Sequence, residues 1–416
     1  MKCRHCRSEL CLPFLDLGSA PPSNAYLTEA GLRAPEAWYP LRLLVCDSCW
    51  LVQTEDHAGR EALFTDDYAY FSSFSTSWLA HAQTYVQTMV ERFGLTAASR
   101  VVEIAANDGY LLQYVKAAGI PCYGVEPTAG TAAAARAKGI EIVEKFFGVE
   151  LADELARTGQ QADLIAANNV LAHVPDINDF VAGFAVLLKP NGVATFEFPH
   201  LLRMVQQNQF DTAYHEHYSY LSLTAVERIF ARNGLTVFDV QELTTHGGSL
   251  RIFAQRSDSG SCPVSPAVVA LRKVEEDAGM KTAKFYSGFQ AKAEKVKDDL
   301  VAFLVECKRQ GLKVGAYGAA AKGNTLLNFA GVRPDLLPYV VDKNPAKQGK
   351  FMPGSRIPIV DEEHLKRHKP DRILILPWNL RREVMQQLEY IKDWAGEVTV
   401  AVPTFRAIEA HRRPSE

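Results

Sequence analysis

The chain runs to 416 residues, too long for one ordinary hydrophobic core and suited to two or three domains. With 47% hydrophobic and 22% charged residues it has the composition of a globular protein, and 45 basic against 48 acidic side chains leave a formal net charge of −3. That balance argues against a nucleic-acid reader, which is usually more basic, and no apolar run reaches the roughly 18 residues that a membrane helix needs.

The N-terminus, MKCRHCRSEL, has neither an apolar core nor a cleavage site, so the cytoplasm is the expected location. Cys3, Cys6, Cys46 and Cys49 form two CxxC pairs, while Cys11, Cys122, Cys262 and Cys307 are scattered; a disulfide framework is not expected in so large a chain without an export signal. Four thiolates suit tetrahedral zinc, and a closed four-sulfur shell leaves no position for substrate or water, which makes the metal structural. His5 lies between two ligands and is too close in sequence to join them. Residues 1–71 therefore read as a turn-rich, metal-stapled module, and the lack of a basic cluster favours a docking or lid role over nucleic-acid binding.

From 72 to 256 short apolar runs alternate with helical patterns. RVVEIAAND, CYGVEP, ADLIAANNV, GVATFEFPH, LTVFDVQEL and SLRIFAQ are predicted strands, and the alternation implies a mostly parallel α/β sheet. The last two strands, with only TTHGG between them, predict an antiparallel pair at one edge. SDSGSCPVSP marks a boundary. Residues 257–416 then open with a long helical stretch from about Ala267 to Gly311 and restart the alternation in KVGAYGA, YVVDKN, RILILPW and VTVAVP, which reads as a second doubly wound α/β domain.

VVEIAANDGYLLQYV has the form strand, acid, small-residue turn, glycine, helix, in which the turn lets backbone approach a ligand at the helix N-terminus. It resembles motif I of class I S-adenosylmethionine-dependent methyltransferases, with Ala105, Ala106, Asn107 and Asp108 replacing much of the usual glycine-rich loop. The resemblance implies cofactor contacts from Glu103, Ala105, Asn107 and Gly109. CYGVEP ends in Glu126, placed where a carboxylate can accept both ribose hydroxyls, followed by Pro127. KFFG offers Phe146 and Phe147 beside an adenine, and ADLIAANNVLAHVPD, with Asn168, resembles the fourth-strand motif of the same family. NAD is the competing cofactor, because an acidic second strand also fits dinucleotide folds.

Residues 211–222, DTAYHEHYSYLS, crowd histidines, tyrosines and a glutamate into a space where a solvated loop would carry lysines, serines and glycines. Histidines two apart do not make a helical HExxH zinc site; on an extended segment they would share one face, where one could act as a general base. Burying such a cluster is costly without a purpose. Together, the cysteine module, YHEHYSYLS, THGGSLR and GAYGAAAKGN resemble the nucleotide-sugar C-methyltransferases of deoxysugar biosynthesis along essentially the whole chain. The resemblance implies methylation beside the ketone, at C-3, of a 4-keto-deoxysugar carried on a nucleoside diphosphate such as dTDP, through a base-generated enolate. It implies His217 as the base, Glu216 orienting or polarising it, Tyr214 holding substrate, and His173 and Tyr68 near the reacting centre. His215 is left undecided, Tyr218 and Tyr220 read as packing residues, and Arg251 of HGGSLR is a candidate phosphate contact.

In the C-terminal segment Gly315, Gly318 and Ala321, with Asp342 at the end of the next strand, fit a dinucleotide fingerprint. The alternative uses the backbone NH groups around Ala321 and Gly323, the Lys322 ammonium and Asn324 to hold a nucleotide-sugar diphosphate, with the active site in the cleft between the two α/β domains. The rival functions are an O- or N-methyltransferase on another metabolite and a non-catalytic, zinc-containing NAD-binding regulator. The oligomeric state, a monomer included, stays open.

Overall fold

A computed structural model describes residues 1–55, His57 and 71–408. Strands β1 (Leu12–Ala20), β2 (Tyr39–Val45) and β3 (Val52–Thr54) form an antiparallel meander, so the N-terminal region, turn-rich as its composition predicts, also carries a sheet. Leu41, Leu43 and Val45 alternate inward along β2, which is the period-two pattern of a half-buried strand. The Phe14 ring of β1 stacks on Phe289 with centroids 4.7 Å apart, so this sheet rests on a helix of the C-terminal half.

The chain next lays down β4 (Val101–Ile104), β5 (Cys122–Val125), β6 (Glu141–Val143), β7 (Ala162–Asn168) and β8 (Leu188–Pro199), all parallel. It then leaves to place β9 (Ser219–Tyr220) against β3 in the N-terminal sheet, and returns with the antiparallel β10 (Leu235–Leu243) and β11 (Ser249–Arg256). The seven strands run β6-β5-β4-β7-β8-β11-β10, with the expected antiparallel pair at one edge. Strand order reverses at β4, and a crevice opens beyond the C-terminal ends of β4 and β7.

The predicted helix from 267 to 311 is three: Pro266–Asp277, Ala283–Tyr286 and Phe289–Arg309. Gly279 and Gly288, both at φ +81°, take the left-handed conformation that interrupts a helix. A second parallel sheet follows from β12 (Val314–Tyr317), β13 (Val340–Val341), β14 (Ile359–Val360), β15 (Arg372–Ile375) and β16 (Glu397–Val400), closed by the antiparallel β17 (Arg406–Ile408). Its order, β14-β13-β12-β15-β16-β17, also reverses between β12 and β15, giving a second crevice. The short strands β6, β14 and β17 carry too few residues for a period to be read from sequence. No helix among the described residues is long and apolar enough to cross a membrane.

Candidate active site and metal centre

The two CxxC pairs fold as matched turns. Arg7 N bonds Cys3 O (3.0 Å) and Trp50 N bonds Cys46 O (2.8 Å), with Arg7 and Trp50 both left-handed, at φ +69° and +63°. The turns bring four sulfurs within 4.8 Å of one another; Cys3 Sγ lies 3.6 Å from Cys49 Sγ and Cys6 Sγ 3.4 Å from Cys46 Sγ. The hydrogen bond from Cys49 pulls the Cys3 thiol down to about 4, while burial pushes Cys46 up to about 11 and the bond to Cys3 raises Cys49 further. Zinc binds cysteine as thiolate, and four sulfurs this close together fit a closed, tetrahedral structural zinc site. His5 stays out of the cluster, its Nδ1 2.8 Å from Asn178 Oδ1.

A cavity of about 370 Å³ lies between the two strand crevices. The loop after β4 forms one wall. Ala105 (φ +58°), Asn107 (+49°) and Gly109 (+74°) take left-handed positions there, so alanine and asparagine carry a conformation for which glycine is the usual residue. A Cβ on Gly109 would meet Ile140 Cδ1 at 2.4 Å, so this left-handed position leaves no room for a side chain unless Ile140 shifts. Asn169 (+54°) and His246 (+53°) are left-handed as well and also line the cavity, so non-glycine strain concentrates here.

Glu126, 4% exposed, faces the cavity and accepts from Asn107 N (2.9 Å), Thr128 N (3.0 Å) and the Thr128 hydroxyl. Ala105, Asn107, Pro127, Phe146, Phe147 and Asn168 share its half of the lining. Glu103 does not. It is fully buried in β4, where desolvation pushes its carboxyl well above the usual range. Gly109 shapes the loop from behind without lining the cavity.

The 211–222 segment supplies the centre. Residues 214–217 close a turn through His217 N to Tyr214 O (2.9 Å), so the segment is not extended and the two histidines part company. His215 points into the N-terminal sheet, donating to Tyr39 O (3.2 Å) and Pro40 O (3.3 Å). His217 lines the cavity. Its Nδ1 is 2.9 Å from Thr212 O, which can only accept, so Nδ1 carries the proton and Nε2 is the basic nitrogen, 2.6 Å from the Tyr214 hydroxyl. Burial first, then His173, holds His217 well below its ordinary value; burial likewise lowers His173 and His246 to about 4, and all three rings are neutral. His173 bonds the Glu216 main chain and lies edge-on to His217, with centroids 4.6 Å apart. Glu216 does not orient His217: both its oxygens accept from Asn24 Nδ2, at 2.8 and 2.9 Å, and the orienting group is the Thr212 carbonyl. Tyr68 lies outside the described residues. Tyr218 and Tyr220 are buried, as packing residues are.

The opposite wall comes from the second crevice. Ala320, Ala321 and Lys322 open the helix Ala321–Phe329, whose N-cap Ala320 has no capping side chain, and Pro377, Asn379 and Leu380 follow β15. Lys322 Nζ sits 4.7 Å over the Trp378 ring and 3.5 Å from Asn379 Oδ1, and burial lowers it to about 8. Gly323 and Asn324 are not lining residues. A Cβ on Gly323 would meet Leu376 at 2.6 Å, and Asn324 Nδ2 is committed to Ser23 O at 3.0 Å. Arg251 is also elsewhere, buried against Glu197 at 2.9 Å. Asp342, the acid of the dinucleotide reading, accepts Ala319 N and Asn344 N at 2.8 Å each and lies outside the lining.

Sequence reasoning missed Asn24, Asn169 and Lys347 as lining residues, while His246, which opens HGGSLR and whose sequence context fits a hairpin turn as well as a substrate contact, lines the cavity. Lys347 adds a second cation on the Lys322 side, with Nζ 2.8 Å from Ala319 O. The positive-φ tolerance of asparagine was the one local signal available for Asn169; Asn24 and Lys347 carry none.

Three family models match in succession: a zinc binding domain over residues 3–64, a methyltransferase domain over 78–240 and a C-methyltransferase C-terminal domain over 244–403. C-methyltransferase NovU of Streptomyces niveus is 33% identical over 409 residues, which is 98% of this chain and 97% of the relative. The ubiquinone biosynthesis O-methyltransferase of Azorhizobium caulinodans is 28% identical over 113 residues, 25% of this chain and 45% of the relative. Among solved structures, the magnesium protoporphyrin IX methyltransferase of Synechocystis PCC 6803 with bound SAM aligns over 44% of this chain and 82% of its own, at 18% identity and a TM-score of 0.33.

Replacing Cys46 by serine removes one of the four sulfurs. Metal analysis is expected to find the zinc content reduced, and thermal unfolding is expected to begin earlier, in the N-terminal sheet. Full zinc occupancy with unchanged unfolding rules out the four-cysteine assignment.

Proposed function

This chain belongs to the C-methyltransferase family, an S-adenosylmethionine-dependent group of enzymes, and on that premise we propose that its acceptor is the carbon beside the ketone, C-3, of a dTDP-type nucleoside-diphosphate 4-keto-deoxysugar. One observation carries the reading: a single cavity has an acid at the seven-stranded crevice, two lysines and an uncapped helix start at the six-stranded crevice, and a neutral histidine between them.

Bound S-adenosylmethionine supplies an electrophilic methyl. Glu126 accepts from the ribose hydroxyls, with its carboxylate held in place by Asn107 N and Thr128 N. The left-handed Ala105 and Asn107 bring backbone close to the cofactor, and Phe146 and Phe147 offer apolar surface to the adenine. At the other end, the NH groups of Ala321 and Lys322 with the Lys322 and Lys347 ammonium groups take the diphosphate. The sugar then lies against Tyr214, His217 and His173. A proton beside a ketone needs a base and a stabilised oxyanion. His217 Nε2 is basic and neutral, Thr212 O accepts Nδ1–H and so steadies the imidazolium that forms, and the Tyr214 hydroxyl marks the approach to Nε2. Arrival of an anionic diphosphate offsets the Lys322 charge that helps to depress His217, which strengthens the base when substrate is present.

Glu126→Ala is expected to weaken S-adenosylmethionine binding by roughly ten- to a hundredfold, the worth of a charge-assisted hydrogen bond of about 1.5–3 kcal/mol, with the fold unchanged. Calorimetry that returns wild-type affinity moves the cofactor elsewhere.

His217→Asn keeps a polar group and removes the basic nitrogen; turnover is expected to fall by about 10² to 10⁴ with little change in binding. In deuterium oxide, with a non-transferring cofactor analogue, wild type should exchange the ring proton of the keto-sugar nucleotide and the variant should not. Exchange by the variant at the wild-type rate removes His217 as the base.

The active form of His217 is neutral and its pKa is depressed in the free enzyme, so kcat/KM should show no loss of the base as pH falls from neutrality through the ordinary histidine value of 6.5. Lys322 loses its charge as pH rises through about 8, so KM for the nucleotide sugar should climb above that point. Lys322→Gln should raise KM below pH 8 and abolish this alkaline dependence; a KM that stays flat through pH 8 in wild type disconnects Lys322 from the substrate anion.

A further inference from the structure

We propose that Asn24, delivered by the zinc-stapled module, is a positioning residue of the catalytic centre, fixing the Glu216 carboxylate against the cavity so that it can accept a hydroxyl of the sugar. The catalytic part of this inference rests on the sugar-substrate reading above; the geometry does not.

Asn24 and Glu216 both line the cavity, and Glu216 is 1% exposed. A carboxylate this deeply buried needs donors, and the amide Nδ2 of Asn24 reaches both of its oxygens, at 2.8 and 2.9 Å. Asn24 is itself held from the C-terminal domain. Ser23 O accepts Asn324 Nδ2 at 3.0 Å, the Tyr26 hydroxyl bonds Ala319 O at 2.6 Å, and Ala25 N closes the turn onto Pro22 O at 3.1 Å. The buried Asn324, expected from sequence to touch the diphosphate, thus acts one residue from Asn24 instead. Three parts of the chain meet in this contact: the turn from the module, its anchors from the six-stranded domain and Glu216 from the catalytic segment.

The residue type matters. A lysine or arginine at position 24 would fix the carboxylate but cancel its charge, whereas an amide orients it and leaves the negative charge facing the cavity. Hydrogen bonding to the charged form also favours ionisation, so Asn24 keeps Glu216 an acceptor rather than a donor.

The test uses the zinc-loaded full chain and reads first a quantity that needs no substrate. In a ¹³C-carboxyl titration, with the Glu216 resonance assigned by its disappearance in Glu216→Gln, Asn24→Ala is expected to raise the Glu216 pKa by about one pH unit or more. The isosteric Asn24→Asp, which sets carboxylate against carboxylate, should raise it further; it serves as the second variant should alanine perturb folding, with zinc content and S-adenosylmethionine affinity expected to remain those of wild type. An unchanged Glu216 titration in both variants overturns the proposal. Turnover of a dTDP-4-keto-6-deoxyhexose is then expected to fall roughly ten- to a hundredfold in Asn24→Ala, and to fall no further when that change is added to Glu216→Gln, because the effect passes through Glu216. Equal losses in the two backgrounds overturn it. If wild type methylates no such sugar, the substrate reading fails on its own, and the titration still decides the role of Asn24.

Discussion

The 211–222 segment is held to the N-terminal sheet by two residues of backbone pairing: Val52 opposite Tyr220 and Gln53 opposite Ser219. A buried, irregular stretch such as 212–218 must have its peptide groups satisfied, and the edge of the N-terminal sheet does this. Thr54 N bonds Tyr218 O at 3.2 Å, and the Thr54 hydroxyl bonds His217 O at 3.2 Å. Gln53 carries the connection back to the metal site, its Nε2 3.3 Å from Cys3 Sγ. The four-cysteine cluster therefore has a direct bearing on where His217 sits: Gln53 links the cluster to the sheet edge, the edge takes β9, and β9 adjoins the turn that carries His217 and Glu216.

Burial does the electrostatic work. A histidine in water titrates near neutrality and would be partly charged; burial holds all three of these low, Lys322 adds to the effect at His217 and His246, and Nε2 of His217 is left able to accept a proton. The charges that survive are separated. Glu126 stands at the seven-stranded crevice, Lys322 and Lys347 at the six-stranded one, and Glu216 near the centre with a neutral donor. The cavity is therefore polarised, with a carboxylate at one end and two ammonium groups at the other.

Both crevices arise in the same way, from a parallel sheet whose strand order reverses, and each is tightened by an acid at the end of the second strand. Glu126 draws in the loop after β4 through Asn107 N, and Asp342 draws in the loop after β12 through Ala319 N. The loops differ in what faces the cavity. Left-handed Ala105 and Asn107 expose backbone at the first, and the uncapped helix start with Lys322 exposes donors and charge at the second.

Much of this was legible in the residues. Two CxxC pairs determine a four-sulfur site because the chemistry of zinc needs nothing else, and alternating apolar runs determine parallel sheets because period and length survive without knowledge of partners. An acid after the second strand marks Glu126, and a dense aromatic and histidine cluster marks Tyr214 and His217. What the tertiary structure decided were pairings between distant residues, which leave no local period. Glu216 bonds Asn24 and not its neighbour His217; Arg251 pairs with Glu197 away from the cavity lining; Glu103 is buried in β4 and does not line the cavity; and Lys347 arrives at the cavity from a loop with no motif. A turn at 214–217 separated two histidines that an extended reading had put on one face. Local chemistry sets what a residue can do, but its partner is chosen by which elements the fold brings together, and only the folded chain contains that choice.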